Sequence, residues 1–383
     1  MRGTRPEGPE WLEAAGDHDR SFRLHPPRPA VPGVAALSRW RQTLRGDVVA
    51  GVAVASYLIP QCMAYARLAG LEPVHGLWAA LPALGVYAFL GTSSRLSVGP
   101  ESASALLVGS AVFSLSPDAG ARPAVAAALA LAVAAVALVA WAVRLGFLAD
   151  LLSKPVLAGY MAGVAVSMIV SQLPNLTGIE TTRRETVARM VDIARGVSDL
   201  RPAPLLLGVA IVALLVVLRR FPLIPGPLLA VLAATVATVA FDLEDRGVST
   251  VGKVPGGLPP LALPDLPASM WAGVFGAAVG IAIVVFSDNV LTARAFAARA
   301  GDRIDADQEF LALAAANAGA GLAGGFPVSS SGSRTALGDA AGARSQLASL
   351  VAAIALLVVL LTGGPLLESF PQAALGGLVV FAG

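Results

Sequence analysis

The chain has 383 residues, of which 56% are hydrophobic and 14% charged; a soluble domain carries about 25% charged and about 45–50% apolar residues, so a water-exposed globule is excluded. A formal charge of +2, with the arginines scattered among loops, gives no basic face for nucleic acid. One cysteine, Cys62, and three histidines without CxxC or HExxH spacing give no intramolecular disulfide, no zinc pattern and no catalytic constellation, which argues against an enzyme and implies no cofactor.

In chain order, residues 1–45 are rich in Pro, Arg, Gly and Asp and lack the apolar core and cleavage site of a secretory signal; they read as a disordered cytoplasmic tail. From Asp47 onward, apolar stretches recur near 48–66, 75–90, 101–115, 122–143, 155–173, 203–218, 223–241, 270–298, 308–324, 331–340, 347–362 and 371–383. Against the ~20 residues that span a bilayer, these make a polytopic all-α membrane protein of about a dozen helices. The stretches 101–115 and 331–340 are too short to cross alone, and each follows an extended run rich in Gly, Pro and Ser, which predicts broken helices.

Lys and Arg concentrate on the cytoplasmic side of short loops. An inside N-terminus with Arg39, Arg41 and Arg45 places Arg95, Arg144 with Lys154, Arg219 with Arg220, and Arg299 with Arg303 inside. It places the 242–268 connection, with Asp242, Glu244 and Asp245, outside. The exception is 180–201, where Arg183, Arg184, Arg189, Arg195 and Arg201 fall outside; their spacing predicts an amphipathic helix on the membrane surface.

The polar residues show a repeat. QCMAYARLAG (61–70) resembles DNVLTARAFAARAG (288–301), and a similar separation links SVGPESAS (97–104) to PVSSSGSRT (327–335). An odd number of crossings between equivalents, about seven, inverts one half relative to the other and puts the substrate near the midplane between two discontinuous helices.

Gly99 and Pro100 interrupt the first break and Pro327 and Gly332 the second, so each helix restarts with amide groups facing the break. Two such N-termini aimed at one spot make an anion site from backbone alone. The hydroxyls of Ser102, Ser331 and Ser333 would complete it, and Arg334 would add a full charge; the bland alternative is that these small residues only permit tight helix packing. Asp288 and Thr292, four residues apart, share one helix face, and Gln61 and Tyr65 hold the equivalent places in the first half. An intramembrane Asp is a candidate proton carrier or cation ligand, or else a hydrogen-bonded anchor. Glu101 reads equally as a helix-capping acid and as a proton-coupling carboxylate beside the anion pocket.

The run GDVVAGVAVASYLIPQCMAYARLAGLEPVHGLWAALPALGVYAFLGTSSRLSVGPESA resembles the first helices of the sulfate permease (SulP) family of anion transporters. The resemblance continues through FLADLLSKPVLAGYMAG, SQLPNLTGI, DADQEFLALAAANAGAGLAGGFPVSSSGSRTALGDAAGARSQLA and FPQAALGGLVV, covering nearly everything from residue 44 onward. It implies fourteen segments in two inverted repeats of seven, about twelve of them in this sequence, divided into a core and a gate that move as an elevator. Residues 46–146 and 268–363 would be core, 147–245 the first gate half, 246–267 an extracellular connection, and 364–383 the start of the second gate half. The resemblance also implies two further helices and a cytoplasmic STAS domain, neither of which this sequence contains.

By the same resemblance, the anion site falls on Gln61, Tyr65, Glu101, Ser102, Ser331, Gly332, Ser333 and Arg334. Many family members have a hydrophobic residue where Glu101 stands, which points to a coupled bacterial symporter. The pair Asp288 and Thr292 looks like the sodium site of bicarbonate-carrying members, so the coupling set is Glu101, Asp288, Thr292 and Ser330, for a proton or sodium. The implied protein is a homodimer in the cell membrane that carries sulfate, bicarbonate or a dicarboxylate. A nucleobase permease of the same architecture and an anion channel are the alternatives.

Overall fold

Long runs of Ala, Val and Leu can satisfy their backbone groups in lipid only as helices or closed barrels. The computed structural model describes residue 32 and residues 40–116, 118–147, 154–179, 181, 186–221, 226–252, 257–300 and 304–382. Most of the expected tail, with Arg39, and also Arg183, Arg184 and Arg303, lie outside the described residues.

The first half runs α1 (Trp40–Leu68), α2 (Pro73–Leu90), β1 (Val98–Gly99), α3 (Ser102–Leu115) and α4 (Arg122–Ala142). Four helices follow: α5 (Lys154–Thr177), α6 (Thr186–Arg195), α7 (Pro202–Leu218) and α8 (Gly226–Ala240). The opening order then recurs as α9 (Trp271–Ala300), α10 (Ala306–Leu322), β2 (Ser329–Ser330), α11 (Gly332–Ala340) and α12 (Leu347–Thr362). The described chain closes with the one-turn α13 (Gly364–Glu368), which the hydropathy pattern does not predict, and α14 (Gln372–Ala382).

Among the described residues, four stretches, Arg41–Leu68, Pro73–Leu90, Arg122–Ala142 and Ala268–Ala298, are long and apolar enough to cross a membrane. At 29 residues, α1 is about 43 Å long, more than the ~30 Å hydrocarbon core, so its polar first turns extend beyond the apolar run. It begins earlier than the apolar pattern predicts because Asp47 is buried and used. Its carboxylate accepts from the Arg344 amide (2.7 Å), the Ser345 amide (3.0 Å) and the Ser345 hydroxyl (2.6 Å), closing the turn before α12.

Small residues set the packing. The backbones of α1 and α2 approach so closely that a Cβ on Gly76 would lie 2.0 Å from the Cys62 carbonyl oxygen. Between α4 and α10, a Cβ on Gly321 would meet the Ala127 carbonyl at 2.9 Å. Such approach is how helices associate where lipid removes the hydrophobic drive. Outward, Val52, Leu206, Val209, Val236 and Ile354 are each more than half exposed, a surface that only lipid can cover.

The connections that the arginine pattern places outside gather at one end. The Arg201 amide donates to Thr177 at the end of α5, Val251 to Phe370, and Gln372 to Ser249. The Arg67 guanidinium, at the end of α1, donates to the Val251 carbonyl at 3.0 Å. Within the expected surface segment 180–201, α6 exposes Val187, Met190 and Val191 on one side.

Candidate functional site

The two breaks meet. Strands β1 and β2 pair antiparallel, Val98 opposite Ser330 and Gly99 opposite Ser329. The Ser331 amide extends the ladder to the Ser97 carbonyl at 3.0 Å. Side chains hold each strand in place: Asn317 accepts from the Val328 amide (2.9 Å) and donates to the Val328 and Leu313 carbonyls, while Gln346 donates to the Ser93 and Leu96 carbonyls. Non-helical backbone in a membrane persists only where protein satisfies it, and these two amides do so. The consequence is that α3 and α11 start side by side from a shared two-strand crossing.

Arg334 occupies the crossing. It is fully buried, and its Nη1 donates to the Pro100 carbonyl (2.8 Å) and to Gln61 Oε1 (3.2 Å). Its Nε and Nη2, and Gln61 Nε2, are buried donors without a partner. Gly99 supplies the space beside them: a Cβ there would lie 3.4 Å from Nη2. Above, Ser331 caps α11 by accepting from the Arg334 amide at 3.4 Å, and its hydroxyl lies 3.2 Å from that of Ser333. Gly332 and Ser333 are exposed, with no atom within 4 Å of a Cβ built on Gly332, so the start of α11 faces open space.

The two helix starts are not equivalent, which corrects the expectation of two open N-termini. Glu101 caps its own helix, accepting from the Ala103 amide (2.7 Å), the Ser104 amide (3.3 Å) and the Ser102 hydroxyl. An acid at this position neutralises the amides and the dipole that would otherwise face an anion. The hydroxyl of Ser102 is committed to that carboxylate instead of pointing at the break. Open donors therefore come from Arg334, Gln61 and the start of α11.

Asp288 reaches β2, its Oδ2 accepting from the hydroxyls of Ser329 (3.2 Å) and Ser330 (3.4 Å). Thr292 is one turn further along α9 and half-buried. Tyr65 is buried one turn beyond Gln61 and within electrostatic reach of Glu101 and Arg334. The structure thus groups Gln61, Glu101, Ser102, Ser331, Gly332, Ser333 and Arg334 around the crossing, with Asp288 and Ser330 behind it and Tyr65 and Thr292 one turn away.

A profile of the sulfate permease family matches residues 44–383. The chain belongs to that family. A probable sulfate transporter of Mycobacterium tuberculosis is 48% identical over 92% of this chain and 63% of its own length. Human prestin is 31% identical over 89% of this chain and 50% of its own. This sulfate permease family chain therefore spans about half to under two thirds of the length of these relatives. Among solved structures, the murine Slc26a9 anion transporter in its inward-facing state superposes with a TM-score of 0.86 at 23% identity, over 100% of this chain and 68% of its own. The transmembrane domain of a cyanobacterial bicarbonate transporter, BicA, gives 0.81 at 23% identity, over 88% of each chain. These likenesses show a polytopic all-α membrane fold, and the Mycobacterium tuberculosis relative and both solved structures are named as transporters, not enzymes.

Three features of this family member escape the sequence reading. Tyr57 lies beside Ser333; it lies one turn before Gln61, and the i, i+4, i+8 series Tyr57, Gln61, Tyr65 would have found it. Ser329 joins Ser330 on Asp288. Glu309 is fully buried and accepts from Tyr87 Oη (2.9 Å), the Thr92 amide (2.8 Å) and hydroxyl (2.6 Å), and Asn289 Nδ2 (2.6 Å). That network fixes α9 against α10 next to Asp288; the signal was an acid in the first turn of a membrane helix, which reads too easily as a capping residue.

Proposed function

We propose that the protein moves a small oxyanion or carboxylate, such as sulfate, bicarbonate or a dicarboxylate, across the cell membrane by secondary active transport, its N-terminus cytoplasmic. The observation that carries this reading is the fully buried Arg334 with Nε, Nη2 and the neighbouring Gln61 Nε2 unpartnered. Buried donors on a charged group are costly to leave unmatched, and a tetrahedral or planar oxyanion offers the acceptors that match a guanidinium edge. The relative at 48% identity, named a probable sulfate transporter, supports the same substrate class.

Coupling follows from charge. Glu101 and Asp288 lie within electrostatic reach of each other, and Arg334 acts on Asp288 as well. With both carboxylates ionised, two negative charges against one guanidinium would leave the unloaded site net negative, and an anion would then enter favourably only with a proton or a cation. The Asp288 carboxylate with the hydroxyls of Thr292, Ser329 and Ser330 offers the hard oxygen ligands that a sodium ion takes; a proton on Asp288 or Glu101 is the other candidate. The β1–β2 crossing ties the broken helices of both halves into one body, which supports a core of 46–146 and 268–363 sliding against a gate of 147–245 and 364–383. Homodimer formation is carried by the family resemblance.

The test is uptake of radiolabelled sulfate, bicarbonate and fumarate by proteoliposomes under imposed pH or sodium gradients. Saturable uptake driven by one gradient is the expected result. Uptake unresponsive to both gradients removes the coupling; uracil or xanthine uptake instead, or current without saturation, assigns the protein to a nucleobase permease or a channel.

A further inference from the structure

The arginines of 180–201 are the main exception to the loop charge pattern, and the crossing at Arg334 makes no use of them. The last of them, Arg201, has a built setting. It borders a cavity of about 380 Å³ whose polar lining includes Asn175, Thr181, Ser249 and Gln372. Its guanidinium forms no hydrogen bond or ion pair among the described residues, and no carboxylate is among the described residues lining the cavity.

Its stem is held between two glycines in the left-handed region, Gly178 (φ 71°) and Gly247 (φ 93°). A Cβ on Gly178 would lie 2.9 Å from Arg201 Cβ and Cδ, and one on Gly247 would lie 2.8 Å from Cδ. Only residues without a side chain leave room for the arginine there, so the backbone fixes a charge that would otherwise wander. Arg201 also stands at the N-cap of α7 without making a side-chain cap bond, which adds the positive end of that helix to the same cavity. The opposing end of α5 contributes little negative field, because its Leu173, Pro174 and Thr177 carbonyls accept from the Thr177 hydroxyl, the Gly178 amide and the Arg201 amide.

The cavity lies on the side of the molecule where α1 ends. Its wall at Gly247 and Ser249 continues to Val251, which accepts from Arg67, and Arg67 lies six residues, about 9 Å along α1, beyond Gln61.

We propose that the Arg201 cavity is a second anion site, a capture point on the face where α1 ends, which takes a small oxyanion from solution before it passes to Arg334. This rests on the transport reading above. A fixed positive charge in a concave polar wall raises the local concentration of the substrate, which gives a role to positive charge on the side expected to be external.

Two measurements on the protein separate this proposal from its premise. Phenylglyoxal modification, read by peptide mass spectrometry with and without sodium sulfate, needs no transport. Sulfate slows adduct formation at Arg201 but not at Arg195 and Arg219, which are exposed as Arg201 is, and does so equally in the Arg334→Ala variant. Equal rates with and without sulfate at Arg201 overturn the second site, as does protection that disappears with Arg334. In proteoliposomes, Arg201→Gln raises the KM for sulfate about threefold to tenfold with kcat retained, and Arg201→Lys restores most of the loss. An unchanged KM overturns the capture role, whereas a wild-type protein without any anion uptake overturns the transport reading while the labelling result still decides the site.

Discussion

At the scale of single residues, one buried guanidinium organises the site. Replacing Arg334 by Ala removes charge-assisted bonds worth about 1.5–3 kcal/mol each, so sulfate affinity by calorimetry is expected to fall about tenfold to a hundredfold. Arg334→Lys should recover little of it, because an ammonium cannot present two donors along one edge. Gly99→Val places a branched side chain beside Nη2 and should block the same site without touching the charge; unchanged binding in either variant would move the site elsewhere. Asp288→Asn keeps the shape and the contacts to Ser329 and Ser330 but cannot take up a proton or hold a cation with a full charge. Uptake in that variant is expected to lose its response to the driving gradient while sulfate binding persists. Arg334 and Asp288 were legible because a charge inside an apolar run is costly and demands a reason. Glu101 was not, since the same acid beside the same break reads as a cap or as a coupling group, and only the bonds to the Ala103 and Ser104 amides show that it caps α3.

At the scale of elements, the helices were legible and the crossing was not. Apolar length and Pro, Gly and Ser punctuation place most ends within a few residues, as for 347–362 and α12, because lipid leaves the backbone no alternative. Two-residue strands carry no periodicity, and nothing local tells Val98 that its partner is Ser330. The amides that hold the strands, Asn317 and Gln346, look like ordinary polar residues at helix positions. Asn317→Ala strips the Val328 amide and carbonyl of their side-chain partner, and each buried group left unmatched costs about 1–3 kcal/mol. A lower thermal midpoint in detergent together with weaker sulfate binding is expected; a lower midpoint with unchanged binding would show that β2 does not position the anion site.

At the scale of the whole molecule, the order of α1–α4 with β1 recurs in α9–α12 with β2, and the antiparallel pairing of the strands joins the two halves at their breaks. Under the proposed elevator mechanism, a body tied in this way would move as a unit against the remaining helices. Cysteines at Arg67 and Val251, whose side chain and carbonyl now touch, bridged by a short thiol cross-linker, should stop uptake while leaving sulfate binding intact. Undiminished uptake in the bridged protein would contradict sliding of the core past the gate. The most direct test of the central claim is anomalous diffraction from crystals grown with selenate. The account predicts a selenium peak placed so that selenate oxygens reach Arg334 Nη2 and Gln61 Nε2, in front of the start of α11; selenate bound only away from the crossing, with Arg334 Nε and Nη2 still without partners, would contradict it.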